Sequence, residues 1–230
     1  MDIKEQIKAI LPRYVKIFIR KMRSSMPYKS YMHKHKCIFV HIPKSAGTSI
    51  VDVLGGDTVS RSHLPAYIYK TADPERYEEY FKFTFVRNPW DRVVSTYEYW
   101  KQGLDQTDGY YKNLLLDRYD TFEKFVMDFL DKDSICLHFM LKPQYLYLYD
   151  YRENLLVDFI GKFENIDKDS DEIFKRLGIK NTLKKTNSSK RGNYQEYYTK
   201  QELIDKVAEL YKRDIELFDY KFEISTRDEK

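Results

Sequence analysis

The sequence predicts an α/β protein in which a central, mainly parallel sheet is flanked by helices in three layers. Two apolar runs rich in β-branched and aromatic residues, 37–42 and 81–86, are typical of buried strands. Each run leads through a short polar turn into a segment with helical periodicity. Strands that alternate with helices in this way build parallel sheets, so we expect the two turns to lie at the same sheet edge.

The first strand-to-helix turn has the chemistry of a phosphate site. Pro43 ends the strand because it has no N–H to donate, and the helix begins at Thr48. Backbone N–H groups and the positive end of a helix favour an anion in such a turn. A Walker A loop carries its lysine after a second glycine, whereas Lys44 precedes Gly47, the one glycine of this loop. The usual ATP cradle is therefore absent from this turn.

The second strand-to-helix turn predicts a second anion site. The strand at 81–86 runs into Arg87, Asn88 is a good helix N-cap, and Pro89 suits the first helical position. Ser95 follows about two turns along that helix. A guanidinium fork beside a hydroxyl is what a dianionic phosphate needs. The structural alternative is an arginine that simply pairs with a carboxylate.

The two turns together resemble the sulfotransferase 2 family, the carbohydrate sulfotransferases that include heparan and chondroitin sulfating enzymes. His-Ile-Pro-Lys-Ser-Ala-Gly-Thr-Ser at 41–49 is similar to the family's 5′-phosphosulfate loop, and Arg-Asn-Pro-Trp-Asp-Arg-Val-Val-Ser at 87–95 is similar to its 3′-phosphate motif. The resemblance implies a P-loop-like three-layer α/β fold and a donor, 3′-phosphoadenosine 5′-phosphosulfate (PAPS), used without a metal. The donor-binding residues that it implies are Lys44, Ser45, Ala46, Gly47, Thr48, Ser49, Arg87, Ser95 and, in a late basic loop, Ser189, Lys190 and Arg191.

The resemblance also implies in-line transfer of the sulfuryl group to a saccharide hydroxyl. His63 matches the position where the heparan and chondroitin branch places a histidine, and imidazole titrates in the range that a general base needs. Lys44 would neutralise charge on the leaving phosphate oxygen. His41 is the poorer candidate base because it follows a buried strand. Some sulfotransferases use a glutamate instead, so the alternatives are Glu75, Glu78 and Glu79.

Two other classes of function remain open. A P-loop kinase would share the strand-to-helix anion site, and ATP consumption that depends on Mg²⁺ would identify it. A non-catalytic module that binds a nucleotide or a glycan would keep the basic loops without a base, and it would bind the donor without forming product. The sequence shows no clustered His, Cys and carboxylate set with metal-ligand spacing, so we expect no metal.

The second half of the chain predicts a third strand and an acceptor region. The apolar run 155–164 is typical of a strand. Residues 138–147 include Lys-Pro-Gln-Tyr, which resembles a family segment near the acceptor. Tyrosine rings suit sugars because they pair an apolar face with a polar tip, although a tyrosine stripe is more often core. We expect His138 to be packed rather than catalytic.

The chain of 230 residues predicts one domain at 37–222, preceded by a basic segment and linker at 1–36 and followed by a tail at 223–230. Residues 1–26 carry apolar side chains at helical spacing among lysines and arginines, and we expect them either to pack on the domain or to rest on an anionic membrane surface. Residues 24–36 are expected to be a polar linker. The net charge of +4 is no signature of nucleic-acid binding, and it would suit a polyanionic cofactor or a glycan equally well.

The cysteines and the hydropathy of the chain predict its location. Cys37 and Cys136 lie in apolar surroundings without a pairing pattern, and we expect both to be buried, reduced thiols. No run approaches the roughly 18 apolar residues of a membrane-spanning helix. We therefore expect a cytoplasmic enzyme that contacts the inner membrane face through its basic start and acts on a capsular, lipopolysaccharide or lipid-linked saccharide.

Overall fold

A parallel sheet of three strands forms the centre of the molecule and confirms the predicted α/β class. The computed structural model describes residues 27–57, 62–104, 109–183 and 192–223. Within these ranges the strands stand in the order β1-β2-β3, with bounds β1 Cys37–Val40, β2 Phe81–Val86 and β3 Phe159–Lys162.

The middle strand, β2, is buried along its whole length, which is why its sequence is a continuous apolar run rather than an alternating one. Thr84 illustrates the register of the sheet, because it pairs with Val40 of β1 on one side and with Ile160 of β3 on the other. The Thr84 hydroxyl also donates a 2.7 Å hydrogen bond to the carbonyl of Val40. Because the strands are parallel, the turns that follow β1 and β2 lie side by side at one sheet edge.

Helices surround the sheet and connect its strands. In chain order they are α1 Ser30–His35, α2 Gly47–Val53, α3 Ala66–Ala72, α4 Pro74–Glu79, α5 Pro89–Lys101, α6 Tyr110–Arg118, α7 Phe122–Lys124 with a π-helical continuation Phe125–Phe129, α8 Lys132–Leu137, α9 Tyr145–Leu148, α10 Ile166–Arg176, α11 Gln201–Leu210 and α12 Lys212–Phe218. Short 3₁₀ helices lie at Phe163–Asn165 and Tyr194–Tyr197. No helix within the described ranges is long and apolar enough to cross a membrane.

Helix α5 begins as the sequence predicts. The side chain of Asn88 accepts hydrogen bonds from the backbone N–H groups of Trp90 and Asp91, and Pro89 occupies the first turn. These contacts satisfy donors that a helix N-terminus leaves without partners. The start of α5 is thereby held directly after β2, at the sheet edge where the two anion sites are expected.

The linker predicted for residues 24–36 is wrong from residue 27 onward. Tyr28, Tyr31 and Met32 are buried, and α1 packs beside β1. The hydroxyl of Tyr28 donates a 3.0 Å hydrogen bond to the carbonyl of Tyr69. A composition argument missed these apolar anchors because lysines and histidines surround them. Residues 1–26 and 224–230 lie outside the described residues.

Two further expectations differ from the structure. The third strand is shorter than 155–164, because Leu155 forms an antiparallel bridge with Tyr149 and Leu156 donates to the carbonyl of Leu148 at 2.8 Å. This backbone pairing holds the start of the run away from the sheet. Cys37 is buried as expected, but Cys136 is exposed. It lies on the outward side of α8.

Candidate active site

The turn after β1 forms a tightly wound loop. Lys44 and Ala46 both have positive φ angles, 66° and 62°, in the left-handed region that residues with a Cβ seldom adopt. Ser45, between them, is 1% exposed. A Cβ on Gly47 would lie 1.9 Å from Nε2 of His41, so only glycine fits beside that ring. The His41 side chain therefore forms part of the loop's floor, and strain of this kind is typical of functional sites.

Arg87 joins the two predicted phosphate motifs. Its Nη1 donates to the carbonyl oxygen of Lys44 at 2.9 Å and to the hydroxyl of Ser95 at 3.2 Å. Its Nε and Nη2 each lie 2.7 Å from a carboxylate oxygen of Asp91. The ring of Phe163 lies 3.9 Å from the guanidinium. The sequence left open that Arg87 simply pairs with a carboxylate, and Asp91 is that carboxylate. It orients the same guanidinium that reaches the loop and Ser95.

A buried amide that the sequence analysis did not assign to the site holds the backbone of Arg87. Gln144 accepts a hydrogen bond from the N–H of Arg87 at 2.9 Å and donates one to its carbonyl at 2.8 Å. The hydroxyl of Ser45 lies 3.5 Å from the same amide oxygen. The resemblance of Lys-Pro-Gln-Tyr at 142–145 to an acceptor segment indicated that this region is functional, but it did not indicate that Gln144 holds the backbone of Arg87. Gln144 connects the two phosphate motifs through buried hydrogen bonds.

A buried carboxylate in turn holds Gln144. The two carboxylate oxygens of Asp214 accept hydrogen bonds from the backbone N–H groups of Gln144 and Tyr145, at 2.7 and 2.9 Å. Burial raises the pKa of Asp214 to about 6, against the opposing effects of these hydrogen bonds and of Arg92. Asp214 therefore supports the site from α12, about 70 residues away in the chain.

Arg92 is the second arginine of the motif at 87–95, and it ties the loop to the segment that precedes Gln144. Its side chain is 2% exposed. Its Nε donates to the carbonyl of Pro43 at 3.2 Å, and its Nη2 donates to the carbonyls of Met140 and Lys142 at 2.9 and 2.7 Å. Because these backbone carbonyls accept hydrogen bonds from its guanidinium, Arg92 positions the backbone of the site.

His63 lies against the loop and contacts His41. Its Nδ1 is 3.0 Å from the carbonyl oxygen of His41, and the two ring centroids are 4.3 Å apart. A carbonyl only accepts hydrogen bonds, so the contact assigns the proton to Nδ1 and leaves a lone pair on Nε2. Phe139, 41% exposed, stacks on the other side of His63 at 5.2 Å. In the neutral form of this half-buried imidazole, Nε2 is therefore the basic nitrogen.

His138 is packed, as predicted. Its Nδ1 accepts a hydrogen bond from the N–H of Met140 at 3.2 Å, and its ring contacts those of Trp100 and Tyr111 at 4.6 and 4.7 Å. Burial lowers the pKa of His138 to about 4. The ring is therefore neutral at physiological pH and serves the aromatic packing beneath Phe139.

The glutamates considered as alternative bases lie elsewhere in the fold. All three are exposed residues of α4, which leads directly into the amino end of β2, whereas the loop and Arg87 follow the carboxyl ends of the strands: Glu75, Glu78 and Glu79. Glu79 pairs with Lys36 at 2.6 Å. Of the candidate bases, the structure brings His63 and the poorer candidate His41 to the loop, and it places the three glutamates elsewhere.

The remaining predicted residues divide into two groups. Thr48 and Ser49 lie in the first turn of α2, where Thr48 is exposed and Ser49 is half-buried, and the Nζ of Lys44 lies 3.9 Å from the centroid of the Tyr99 ring. The predicted late basic loop lies outside the described residues: Ser189, Lys190 and Arg191. Within the described part of the chain, no group of three or more His, Cys, Asp or Glu side chains could hold a metal ion.

Comparison with known proteins identifies the family of the chain. An uncharacterized protein of Archaeoglobus fulgidus is 32% identical over 134 residues, which is 57% of this chain and 97% of that relative. The model of the sulfotransferase family matches residues 30–221, which include α1, the loop at 43–49, Arg87 and Gln144. Because the match spans most of the sequence, the chain belongs to the sulfotransferase family.

Proposed function

We propose that the protein transfers the sulfuryl group of PAPS to a hydroxyl group of a saccharide. The observation that carries the proposal is the pair of hydrogen bonds from Arg87 Nη1 to the Lys44 carbonyl and the Ser95 hydroxyl. These bonds join the residues expected at the 3′-phosphate to the loop expected at the 5′-phosphosulfate. A nucleotide with anionic groups at both positions would find cationic side chains at two adjacent strand ends.

The donor set of the site fits such a nucleotide. The loop offers backbone N–H groups and the hydroxyls of Thr48 and Ser49, and α5 offers the hydroxyl of Ser95 beside Arg87. These are hydrogen-bond donors of the kind that bind phosphate. Bound PAPS supplies an activated sulfuryl group on its 5′-phosphate. Positioning and charge stabilisation then account for most of the catalysis of an in-line displacement, by analogy with phosphoryl transfer.

Two side chains of this chain carry the proposed chemical step. As the acceptor oxygen forms a bond to sulfur, the bond from sulfur to the phosphate oxygen breaks. Nε2 of His63 takes the proton of the acceptor hydroxyl. The ammonium group of Lys44 neutralises the negative charge that develops on the leaving phosphate oxygen. The hydrogen bond to the His41 carbonyl supports this role, because it leaves Nε2 of His63 able to accept a proton.

Exposed aromatic side chains support a saccharide as the acceptor. Phe139 presents a partly exposed ring stacked on His63. Tyr110, 60% exposed, contacts Tyr111, whose ring packs on His138 behind Phe139. Aromatic faces pack on the apolar faces of sugar rings, while hydroxyl groups at the sugar edge stay available for transfer. A panel of bacterial cell-surface oligosaccharides, lipid-linked saccharides and simple phenols, assayed with radiolabelled PAPS, would test the acceptor class.

Calorimetric titration with adenosine 3′,5′-bisphosphate, the desulfated product, tests the donor. We expect binding at least about tenfold tighter than that of AMP, because the 3′-phosphate contacts Arg87 and Ser95. Ser95→Ala should weaken binding of the bisphosphate and leave AMP little changed, whereas the exposed control Arg213→Ala should bind like the wild type. Arg87→Ala should weaken binding of both ligands, because it also removes the hydrogen bond to the Lys44 carbonyl in the loop. Equal or tighter binding of ATP with Mg²⁺ would favour the kinase, and donor binding without any sulfated product would favour the non-catalytic module.

We further propose that the enzyme works at the inner face of the cytoplasmic membrane, with residues 1–26 as the contact. The alternation of apolar and basic side chains in this segment supports the proposal. Co-sedimentation with vesicles of phosphatidylglycerol, compared with phosphatidylcholine, tests it. Binding to the anionic vesicles should fall when Lys4, Lys8 and Lys16 are replaced by glutamate. Equal recovery with both vesicle types would contradict a charge-driven contact.

A further inference from the structure

One face of α5 contacts both cationic residues of the site. Asp91, Ser95 and Tyr99 recur every four residues and are all half-buried, so they lie above one another on the helix. Asp91 and Ser95 contact the guanidinium of Arg87. Tyr99 lies one turn further along, and its ring faces the Nζ of Lys44 at 3.9 Å from the centroid. The helical spacing thus places Tyr99 against Lys44, the lysine expected to act in catalysis.

Two contacts hold Lys44, one at its backbone carbonyl and one at its ammonium group. Its carbonyl accepts the 2.9 Å hydrogen bond from Arg87, which fixes a residue already held at a positive φ of 66°. Its ammonium group lies on the Tyr99 ring. A lysine side chain has a flexible four-carbon stem, so an ammonium group without such a contact samples many positions. The backbone and the charged end of Lys44 are thus placed by neighbouring groups.

An aromatic ring suits this task better than a carboxylate would. The negative face of the ring attracts an ammonium group but does not neutralise its charge. A carboxylate in the same position would form an ion pair and compete with a phosphate oxygen for the lysine. The ring of Tyr99 can therefore hold Nζ beside the loop without neutralising its charge.

We propose that Tyr99 is a positioning residue that orders Lys44 for the reaction. The inference rests on the proposed sulfuryl transfer, in which the lysine neutralises charge on the leaving oxygen. A restrained ammonium group loses less freedom when it makes that contact, and the contact strengthens as the charge develops. The face of the ring, and not the phenol hydroxyl, carries this role.

Kinetics of Tyr99→Leu and Tyr99→Phe test the inference. We expect Tyr99→Leu to lower kcat about fivefold with little change in KM for PAPS, and Tyr99→Phe to keep kcat because it keeps the ring face. In a Lys44→Ala background, Tyr99→Leu should cause no further loss, because the two residues act as a unit. Losses that multiply in the double variant, or a Phe variant as impaired as the Leu variant, would overturn the inference.

A spectroscopic measurement tests the contact without turnover. In protein labelled with ¹³C-lysine, ring currents should shift the ε-CH₂ protons of Lys44 upfield. The signal is identified by its loss in Lys44→Arg. It should move to the ordinary lysine position in Tyr99→Leu and stay shifted in Tyr99→Phe. Absence of a shifted signal in the wild type would refute the contact, whereas a shifted signal in a protein that transfers no sulfuryl group would count against the proposed function alone.

Discussion

The Nδ1 atom of His63 lies 3.0 Å from the carbonyl oxygen of His41, whose own ring contacts the loop at Gly47. This relationship makes the proposed base and the donor loop one structural unit. The rings of Phe39, His41, His63 and Phe139 follow one another at centroid distances of 5.4, 4.3 and 5.2 Å, from the buried sheet to the surface. His63, the proposed base, is therefore held between the core and the exposed aromatic ring proposed to contact the acceptor.

Replacing His63 should remove the proposed proton acceptor while leaving donor binding intact. We expect His63→Gln to lower kcat about a hundredfold, because general bases contribute on that order, with unchanged affinity for adenosine 3′,5′-bisphosphate. The matched control is His138→Gln, which alters a packed histidine and should keep kcat within about threefold. Steady-state assays and calorimetry provide the two readouts. A loss below tenfold for His63→Gln would assign the base elsewhere.

A methyl group on Gly47 should damage the loop through His41. The added Cβ would lie 1.9 Å from Nε2 of His41, so either the ring or the loop must move. We expect Gly47→Ala to weaken bisphosphate binding about tenfold, since overpacking of this kind costs about 1–3 kcal/mol. Gly55→Ala, just beyond the other end of α2, meets no atom within 4 Å and strains only its own backbone at φ +73°. It should therefore keep donor affinity. Wild-type affinity in Gly47→Ala would show that the His41 contact is dispensable.

Gln144 should contribute to both stability and donor binding. Gln144→Ala removes two hydrogen bonds to the buried backbone of Arg87. We expect a loss of about 2–4 kcal/mol in the free energy of unfolding, because the N–H and carbonyl left behind stay buried. Bisphosphate affinity should fall as well, whereas the exposed Gln201→Ala should change the unfolding free energy by less than about 0.5 kcal/mol. Urea unfolding and calorimetry measure both effects, and a Gln144→Ala protein as stable as Gln201→Ala would contradict the assignment.

Asp214 should make stability depend on pH in a defined direction. Burial raises its pKa from 3.8 to about 6 in the folded state. Between these values the folded state binds more protons than the unfolded state, so its contribution is fully present below about pH 4 and is lost as pH rises through about 6.

Asp214→Asn removes this titration. The unfolding free energy of the wild type relative to Asp214→Asn should therefore decline by at most about 3 kcal/mol between pH 4 and 7. Urea unfolding in steps of about one pH unit over that range measures it. A difference that stays constant or grows with pH would show that Asp214 titrates in the ordinary acidic range.

Local patterns predicted the elements that carry the phosphate motifs. The bounds of β2, the Asn88 cap and the Pro89 start of α5 all agree with the structure. Each depends on neighbours within a few residues, which sequence patterns describe well. The packing of Tyr28 and the short third strand were not predicted, because both depend on contacts that only the folded chain makes.

The sequence by itself determined the fold class and the two strand-to-helix turns with their anion-binding chemistry, because these depend on hydrophobic periodicity, turn residues and spacing. The choice of His63 came from the family resemblance. The tertiary structure alone decided which groups meet. Arg87 reaches the carbonyl of Lys44 across 43 residues, and Asp214 holds Gln144 across 70. Such contacts are set by strand register and by the way that helices pack on the sheet, and no local pattern encodes either one.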